Sequence, residues 1–314
     1  MYVLSESLYD FFYLNSIIST ILSLAFLIHY YVQAANKAEN NLKSANQQLS
    51  EKNVQIEEAL QDRNQALKQL YQELAEAADY VRSILPLPNT EGGIRTDWRY
   101  IPSTSLGGDA FGYHMVDEDH FAIYLIDVSG HGVGAALLSV SVMNVLRSQS
   151  LPGTDFTDPE QVLASLNMAF PGEENNDMFF TIWYGVYNKS TRELTYASGG
   201  HPPALFFDKA HAGDPHATLL RTANNAIGAM PDASYEKGKH LIKEQTQLYV
   251  FSDGVYEVEK ADGSMWQFDE FRDFMTSIKT GTQSRLDHLY QHAEDINNLD
   301  NFEDDFTILE VAFN

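Results

Sequence analysis

The sequence of 314 residues contains no cysteine. This absence excludes disulfide bonds, a catalytic thiol, and zinc or iron–sulfur sites that are built on cysteine ligands. Basic residues are scarce as well, because 20 Lys and Arg face 44 Asp and Glu and give a formal net charge of −24. Residues 91–314 carry 14 of the basic and 34 of the acidic residues. A surface this acidic repels a phosphate backbone, so we expect no nucleic acid partner.

Charged residues are absent between Asp10 and Lys37, and residues 11–33 form an apolar run long enough to span a bilayer. No Lys or Arg precedes this run, whereas Lys37 and Lys43 follow it. The positive-inside rule therefore predicts a single-pass protein of the inner (cytoplasmic) membrane. In this interpretation residues 1–36 hold the span and a short outer N-terminus, and the catalytic domain is cytoplasmic. A buried or partner-covered helix, or the last helix of a larger sensor, remains an alternative.

Glycine and proline are absent from residues 34–85, a stretch with helical composition that ends before Pro86. Apolar residues recur there with a heptad period, which changes phase through a four-residue step from Ile56 to Leu60. An apolar seam this narrow cannot be buried within a single helix. We therefore predict a dimeric coiled-coil signalling helix over residues 37–85. An amphipathic helix that lies on its own globular domain is the alternative. The seam positions are Leu42, Ala45, Leu49, Lys52, Ile56, Leu60, Arg63, Leu67, Leu70, Leu74, Ala77, Val81 and Ile84.

After Pro86 the pattern changes to short apolar runs that are separated by turns, with a few helical segments. Strands mostly follow strands and helices come in pairs, which predicts an α+β domain of antiparallel sheets with helices packed on them over residues 86–314. The predicted strands are 120–128, 179–188, 193–200, 203–208, 246–253 and 305–313. The predicted helices are 133–149, 158–170, 268–279 and 282–299.

Four turns that contain aspartate lie at the ends of these apolar runs: 107–112 (GGDAFG), 127–132 (DVSGHG), 252–254 (SDG) and 304–305 (DD). Glycine beside aspartate allows the backbone to approach an ion closely. Carboxylate and carbonyl oxygens are hard ligands that suit magnesium or manganese rather than zinc or copper. Each turn alone is ordinary turn chemistry, but the four together indicate a shared cation site.

In this order and spacing, residues 79–313 resemble the metal-dependent PPM phosphatases, the protein phosphatase 2C superfamily, in its bacterial SpoIIE/RsbU-like branch. Seven segments match in family order, among them LIDVSGHGVGAALLS, YASGGHPPALFF, AIGAMPD and LYVFSDGVYEVE. The resemblance implies an antiparallel β-sandwich flanked by α-helices. It also implies hydrolysis of phosphoserine or phosphothreonine on a regulatory protein, of the anti-sigma-factor antagonist type.

Two Mn²⁺ or Mg²⁺ ions that flank a bridging water are part of what the resemblance implies. Transferred by motif, Asp109 and Asp127 are the catalytic carboxylates, both of them metal ligands, and Asp127 bridges the two ions. The backbone carbonyl of Val128, together with Asp253 and Asp304, completes the predicted metal-binding set. No phosphoenzyme intermediate is required, which agrees with the absence of a cysteine nucleophile.

Two positions depart from the family pattern without removing a ligand. Ala110 stands where relatives usually carry Phe, and residues 244–247 replace a common Gly-Asp. GGDAFG is also similar to the GGDEF signature of diguanylate cyclases, although Ala110 occupies the position of the usual Glu. A catalytically degenerate domain that acts as a signal-dependent binding module is the alternative outside enzymes.

Two histidines were considered as catalytic groups. His131 is a candidate general acid for the leaving oxygen, but a turn at a helix N-terminus explains it better. His201 lies in a Gly/Pro turn, and we expect it to fix that turn by hydrogen bonding rather than to touch the substrate.

Overall fold

The computed structural model describes residues 6–208, 217–278, 284–297, 299 and 302–314. The chain divides into two compact units, the first ending at Gln72 and the second running from Glu73 to Asn314. Helix α1 runs without a break from Glu6 to Ile84, so its last turns belong to the second unit. The helix contains no Gly and no Pro, the two residues with the lowest helix propensity.

The large apolar side chains of α1 are exposed from Leu8 to Leu70, including Phe26 at 71%, Leu42 at 62% and Leu70 at 51%, whereas Ile84 at its end packs against the core. Within α1, an 18-residue window reaches a mean hydropathy of 2.0, so length and composition alone would allow it to cross a membrane. Exposed apolar surfaces of this extent are typical of helices that contact lipid or another chain.

Two five-stranded antiparallel sheets form the second unit. Their strands are β1 (Ile94–Ile101), β2 (Ala110–Met115), β3 (His120–Val128), β4 (Phe180–Asn188), β5 (Glu193–Gly199), β6 (Ala204–Phe207), β7 (Thr218–Leu220), β8 (Gly238–Leu241), β9 (Thr246–Phe251) and β10 (Phe306–Phe313). One sheet has the strand order β1-β10-β9-β6-β7, and the other has the order β2-β3-β4-β5-β8. The two sheets pack face to face, as the ring centroids of Tyr187 in β4 and Phe313 in β10 show by their separation of 4.7 Å.

Helices cover the outer faces of this sandwich. They are α2 (Val133–Arg147), α3 (Pro159–Ala169), α4 (Phe268–Ser277) and α5 (Arg285–Ile296). Helices α2 and α3 pack on the sheet that contains β3, and α4 and α5 share a second hydrophobic core with β9 and β10. Strand β9 shows the period of two that this arrangement requires. Leu248 and Val250 belong to the core between the sheets, whereas Tyr249 and Phe251 belong to the core under α4 and α5.

The predicted α+β class with antiparallel sheets is confirmed, and β3 has the predicted bounds of residues 120–128. The predicted helix ends at 279 and 282 lie outside the described residues. Strands β1, β2, β7 and β8 were not predicted. Strand β1 places Arg95, Asp97 and Arg99 among its apolar residues, β2 contains a glycine, and β7 and β8 have only three and four residues. Such strands carry a weak apolar pattern because they form mainly through pairing with their neighbours.

The segment that follows α1 is fixed to the sandwich by side-chain hydrogen bonds. Trp98 Nε1 donates to the carbonyl oxygen of Pro86 at 3.0 Å. The hydroxyl of Tyr113 donates to the carbonyl oxygen of Leu87 at 2.6 Å. The helix ends at Ile84, just before the proline that was predicted to stop it. The connection between the helix and the first strand is therefore held rather than free.

Candidate metal centre

The first pair of predicted ligands lies at one edge of the second sheet. Asp109 immediately precedes β2, and Asp127 is the penultimate residue of β3. Because Ala110 pairs with Ile126 in the antiparallel ladder, the next residues outward, Asp109 and Asp127, come opposite each other.

The second pair has the same construction in the other sheet. Asp253 follows β9 and begins a 3₁₀ turn, and Asp304 lies two residues before β10. The register pairs Phe251 with Ile308, which brings the end of β9 beside the start of β10. Each sheet thus contributes two carboxylates from neighbouring antiparallel strands.

A cavity of about 270 Å³ brings the two sheet edges together. Its walls include Asp127 from one sheet and Asp253 and Asp304 from the other, and Asp109 is buried, with 1% of its surface exposed. The complete lining consists of Asp127, Val128, Ser129, Gly130, His131, Phe179, Thr181, Asp253, Glu303 and Asp304.

The pKa values of the carboxyl groups show that they lie in each other's fields. Burial, followed by the charges of Asp253 and Asp304, raises the pKa of Asp127 to about 8. Burial and then the charge of Asp304 raise the pKa of Asp253 to about 6. Burial also raises the pKa of Asp109 well above its usual value, with the charge of Asp127 as the next cause. Asp127 thus interacts electrostatically with Asp109 in its own sheet and with Asp253 and Asp304 in the other sheet.

The donor set fits a hard divalent cation. Oδ2 of Asp109 is buried and accepts no hydrogen bond from the described residues, and an orphaned carboxylate oxygen of this kind is costly. No Lys or Arg is among the described residues that line the cavity. Uncompensated carboxylates repel one another. Within the described parts of the chain, no three Asp, Glu or His side chains are placed so that they could hold a metal ion in their present positions. A bound cation would compensate the charge that these side chains share.

The carbonyl of Val128 faces a position that only glycine can occupy. A Cβ atom at Gly108 would lie 2.9 Å from the Val128 oxygen and 3.2 Å from the Gly130 oxygen. Contacts under 3 Å between such atoms are not tolerated, so the glycine permits the two turns to approach. The close packing places the predicted carbonyl ligand beside the GGD turn.

Asp305 holds that turn in place, a role that the sequence did not indicate. Its Oδ1 accepts hydrogen bonds from the backbone N–H of Ser103 at 2.8 Å and from the hydroxyl of the same residue at 3.0 Å. Its Oδ2 accepts from the backbone N–H groups of Gly108 at 2.6 Å and Asp109 at 3.3 Å. A Cβ atom at Gly107 would lie 2.5 Å from the same Oδ2. The second aspartate of the DD pair therefore positions the turn that presents Asp109.

The two histidines lie in different surroundings. His131 is exposed and lines the cavity. Burial raises the pKa of Asp304, and the neighbouring His131 acts weakly in the opposite direction. His201 is 6% exposed, does not line the cavity, and has Nδ1 3.1 Å from the carbonyl oxygen of Pro202. Burial lowers the pKa of His201 to about 4, so this ring is neutral near pH 7. The position of His201 agrees with its expected role in the turn.

Several residues of the site were not predicted from the sequence. Thr181 of β4, Phe179 just before that strand and Glu303 line the cavity, and the charge of Glu257 acts on both Asp127 and Asp253. Glu303 adjoins the DD pair, which is the one local signal that could have drawn attention to it.

Comparisons with known proteins support the fold described above. The structure superposes on the SiaA-PP2C domain of Pseudomonas aeruginosa with a TM-score of 0.68 and 20% identity, covering 79% of this chain and 99% of that one. It also superposes on the PP2C phosphatase domain, with a regulatory fragment, of the cell fate determinant SpoIIE from Bacillus subtilis. That TM-score is 0.60 at 16% identity, covering 72% and 64% of the two chains.

In sequence, the chain is similar to two proteins of Bacillus subtilis (strain 168). It is 26% identical to phosphoserine phosphatase RsbP over 227 residues, which are 71% of this chain and 54% of the relative. It is 28% identical to phosphoserine phosphatase RsbU over 212 residues, which are 67% of this chain and 60% of the relative. The chain thus matches between one half and two thirds of the length of these relatives.

Two stacked antiparallel sheets with helices on both outer faces, and aspartates at one edge, define a protein with the PP2C fold. The sequence model of the Stage II sporulation protein E (SpoIIE) family matches residues 117–314. The chain belongs to the SpoIIE family. This assignment replaces the diguanylate cyclase alternative.

Proposed function

We propose that this chain is a metal-dependent phosphoprotein phosphatase that hydrolyses phosphoserine or phosphothreonine on a regulatory protein, of the anti-sigma-factor antagonist type. The observation that carries the proposal is the meeting of Asp127 from one sheet with Asp253 and Asp304 from the other at a single cavity, with Asp109 buried beside Asp127. The names of RsbP and RsbU as phosphoserine phosphatases support the choice of substrate.

The residues that would hold two Mn²⁺ or Mg²⁺ ions are Asp109, Asp127, Asp253, Asp304 and the carbonyl of Val128. When bound, such ions lower the pKa of a shared water and neutralise charge that develops on the phosphoryl group. Asp127 is the bridging ligand in this proposal, because it is coupled to Asp109 in its own sheet and to Asp253 and Asp304 in the other.

The chain itself orients the phosphoryl group and limits access of water. Phe179 and Thr181 form the wall of the cavity next to Asp127. Helix α2 begins directly after His131 and Gly132, has no acidic residue in its first turn, and has no side-chain cap. Its N-terminal N–H groups therefore favour an anion at the mouth of the cavity.

Membrane attachment and dimerisation belong to the same proposal. The exposed apolar residues near the start of α1 would enter the inner membrane, and the exposed seam residues such as Leu42 and Leu49 would pair in a homodimer. The phosphatase domain would then act in the cytoplasm under control of the coiled coil.

Hydrolysis of p-nitrophenyl phosphate by the full-length chain in detergent tests the activity. We expect turnover that requires added Mn²⁺ or Mg²⁺ and that stops with EDTA. Tight metal binding by calorimetry without turnover would instead identify a catalytically degenerate binding module. If the chain shows no metal binding and no turnover, the proposed metal centre is rejected.

A further inference from the structure

Five large apolar side chains are exposed at Phe179, which lines the cavity, and on segments that adjoin it. They form what we term the apolar rim, defined by Val133 (49% exposed), Leu137 (64%), Met168 (74%), Phe179 (43%) and Met230 (54%). The described residues from 86 to 314 contain ten exposed large apolar side chains, so this one region holds half of them. The other five are Leu87, Met115, Leu219, Leu241 and Leu299. Single exposed apolar residues are normal, whereas a concentration at a functional cavity indicates a binding surface.

The rim is continuous with the cavity through Phe179, which is itself part of the lining. The backbone N–H of Ser129 donates to the carbonyl of Phe179 at 2.9 Å, and the backbone N–H of Phe179 donates to the hydroxyl of Ser129 at 3.1 Å. A Cβ atom at Gly134 would lie 3.8 Å from Sδ of Met178. Phe179 and the first turn of α2, which carries Val133, are therefore neighbours.

Helix α2 extends the rim away from the cavity. Leu137 lies one helical turn after Val133 on the exposed face of the helix, since Ala135, Ala136 and Leu138 are buried.

The two methionines lie on segments that contact the loop carrying Met178 and Phe179. The backbone N–H of Gly172 donates to the carbonyl of Gly228 at 3.1 Å, and a Cβ atom at Gly172 would lie 3.2 Å from the carbonyl oxygen of Met178. The amide of Asn167 donates to the carbonyl of Met230 at 2.9 Å. Met168 and Met230 are thus linked to the loop that carries Met178 and Phe179. Methionine is flexible and polarizable, and it suits surfaces that accept varied apolar partners.

We propose that the apolar rim docks the segment of the phosphoprotein substrate that flanks the phosphorylated residue, through apolar side chains of that segment. The inference rests on the proposed function, because a phosphoserine that enters the cavity carries its neighbouring residues across Phe179 and the start of α2. Glu173, Glu174 and Asp177 are exposed in the same loop, so the segment also carries basic residues. The rim gives a protein substrate an affinity that a free phosphate ester cannot obtain.

Two synthetic nonapeptides with a central phosphoserine serve as probes, one flanked by leucines and the other by glycines. With the full-length chain in detergent, kcat/KM for the leucine-flanked peptide is expected to be at least about tenfold higher, mainly through KM. The double variant Leu137→Gln/Met230→Gln should reduce this ratio to near one and leave p-nitrophenyl phosphate turnover within about twofold. Leu241→Gln is the matched control, because Leu241 and Leu137 are both 64% exposed.

A binding measurement separates this proposal from the activity. The leucine-flanked peptide with a non-hydrolysable phosphonate in place of the phosphoserine is labelled, and its fluorescence anisotropy is followed with each variant. Weaker binding to the double variant than to Leu241→Gln supports the rim even if the wild-type chain hydrolyses nothing. Equal binding to the two variants, or a wild-type preference ratio near one, overturns it. The double variant could instead form particles of a different mass from the wild type, measured by light scattering, and keep the wild-type peptide preference. That result would assign the rim to contact with a second copy of this chain.

Discussion

The carboxylate of Asp305 accepts a hydrogen bond of 2.6 Å from the backbone N–H of Gly108, which lies 197 residues earlier in the chain. This bond joins the start of β10 in one sheet to the turn before β2 in the other. The same carboxylate holds Ser103 and Asp109. One buried side chain thus fixes the relative positions of the two sheet edges that form the site.

Replacement of Asp305 by asparagine should weaken both the fold and metal binding. The amide accepts only through its oxygen, so its NH₂ group faces one set of the buried N–H donors. Leaving these donors without an acceptor should lower the free energy of unfolding by about 1–3 kcal/mol. Urea unfolding should show this loss, and calorimetry should show Mn²⁺ affinity reduced by at least about tenfold. Asp295→Asn, at an exposed position on α5, is the control. Unchanged Mn²⁺ affinity in the Asp305 variant would limit this residue to a structural role.

Asp127→Asn should abolish metal-dependent turnover and yet stabilise the metal-free protein. Burial and the charges of Asp253 and Asp304 raise the pKa of Asp127 to about 8, so near pH 7 folding without metal requires this carboxyl to take up a proton. Asparagine removes the free energy that this proton uptake costs. We expect turnover to fall by far more than about tenfold, and the melting temperature without metal to rise. Addition of Mn²⁺ should no longer raise the melting temperature of this variant.

The control for this substitution is Glu303→Gln, which alters a carboxylate of the same cavity that is not a predicted ligand. If the Asp127 variant retained more than about a tenth of wild-type kcat, a loss below ~1.4 kcal/mol, the two-metal assignment would be wrong.

His201 should make the protein less stable in acid. Its pKa is about 4 in the fold and about 6.5 when unfolded. The unfolded chain therefore binds more protons between these values. Stability is retained above about pH 6.5 and is lost as the pH falls towards 4, by at most about 3 kcal/mol.

The variant His201→Asn should show a smaller loss of unfolding free energy between pH 7 and pH 4.5 than the wild type. The raised carboxyl pKa values of the site contribute a slope of opposite sign, which is common to both proteins and cancels in the difference. Parallel pH profiles for the two proteins would exclude this contribution of His201.

Signal transmission through α1 should depend on the phase of the helix. The guanidinium of Arg147, the last residue of α2, donates to the carbonyl of Ile84, the last residue of α1, at 3.3 Å. Helix α2 begins at the cavity, so one rigid element connects the end of α1 with the site. Insertion of one residue after Ala78 rotates the preceding seam relative to this contact by ~100°.

A seven-residue insertion at the same place is the matched control, because it nearly restores the phase. The single insertion should alter activity far more than the seven-residue insertion. Equal activities, in variants that are both folded and dimeric, would reduce α1 to a spacer and dimeriser.

The predicted topology places the chain after residue 36 in the cytoplasm. A phosphatase reporter that is active only in the periplasm should be silent when it is fused after Asn314, whereas a cytoplasmic fluorescent reporter at the same place should be bright. The reverse pattern would overturn the orientation that Lys37 and Lys43 predict.

The sequence was most informative where apolar patterning and special turns coincide. Strand β3 could be predicted residue for residue because seven of its nine residues are apolar and the strand ends at a turn with Gly130 and Gly132 at positive φ. The role of Asp305 could not be predicted, because its partners are set by the pairing of distant strands. Asp304 and Asp305 are chemically identical, and only the register of β10 decides which one faces the cavity and which one faces Gly108.

The apolar rim could not be predicted from sequence for a related reason. Leu137 and Leu138 are equivalent in a hydropathy pattern, but one is 64% and the other 6% exposed. Only the packing of α2 on its sheet separates them.

The contact of Gly108 with the carbonyl of Val128 has a consequence for recognising inactive members of such a family. A Cβ atom at position 108 would lie 2.9 Å from the Val128 oxygen, so the contact leaves no room for a methyl group. A homologue that keeps every aspartate but replaces this glycine must push its two turns apart and separate the groups that are proposed to share a cation. Catalogues of pseudoenzymes that score only the acidic residues would count that homologue as competent. The hydrogen atom at position 108 is therefore as diagnostic of a working site as any of the carboxylates.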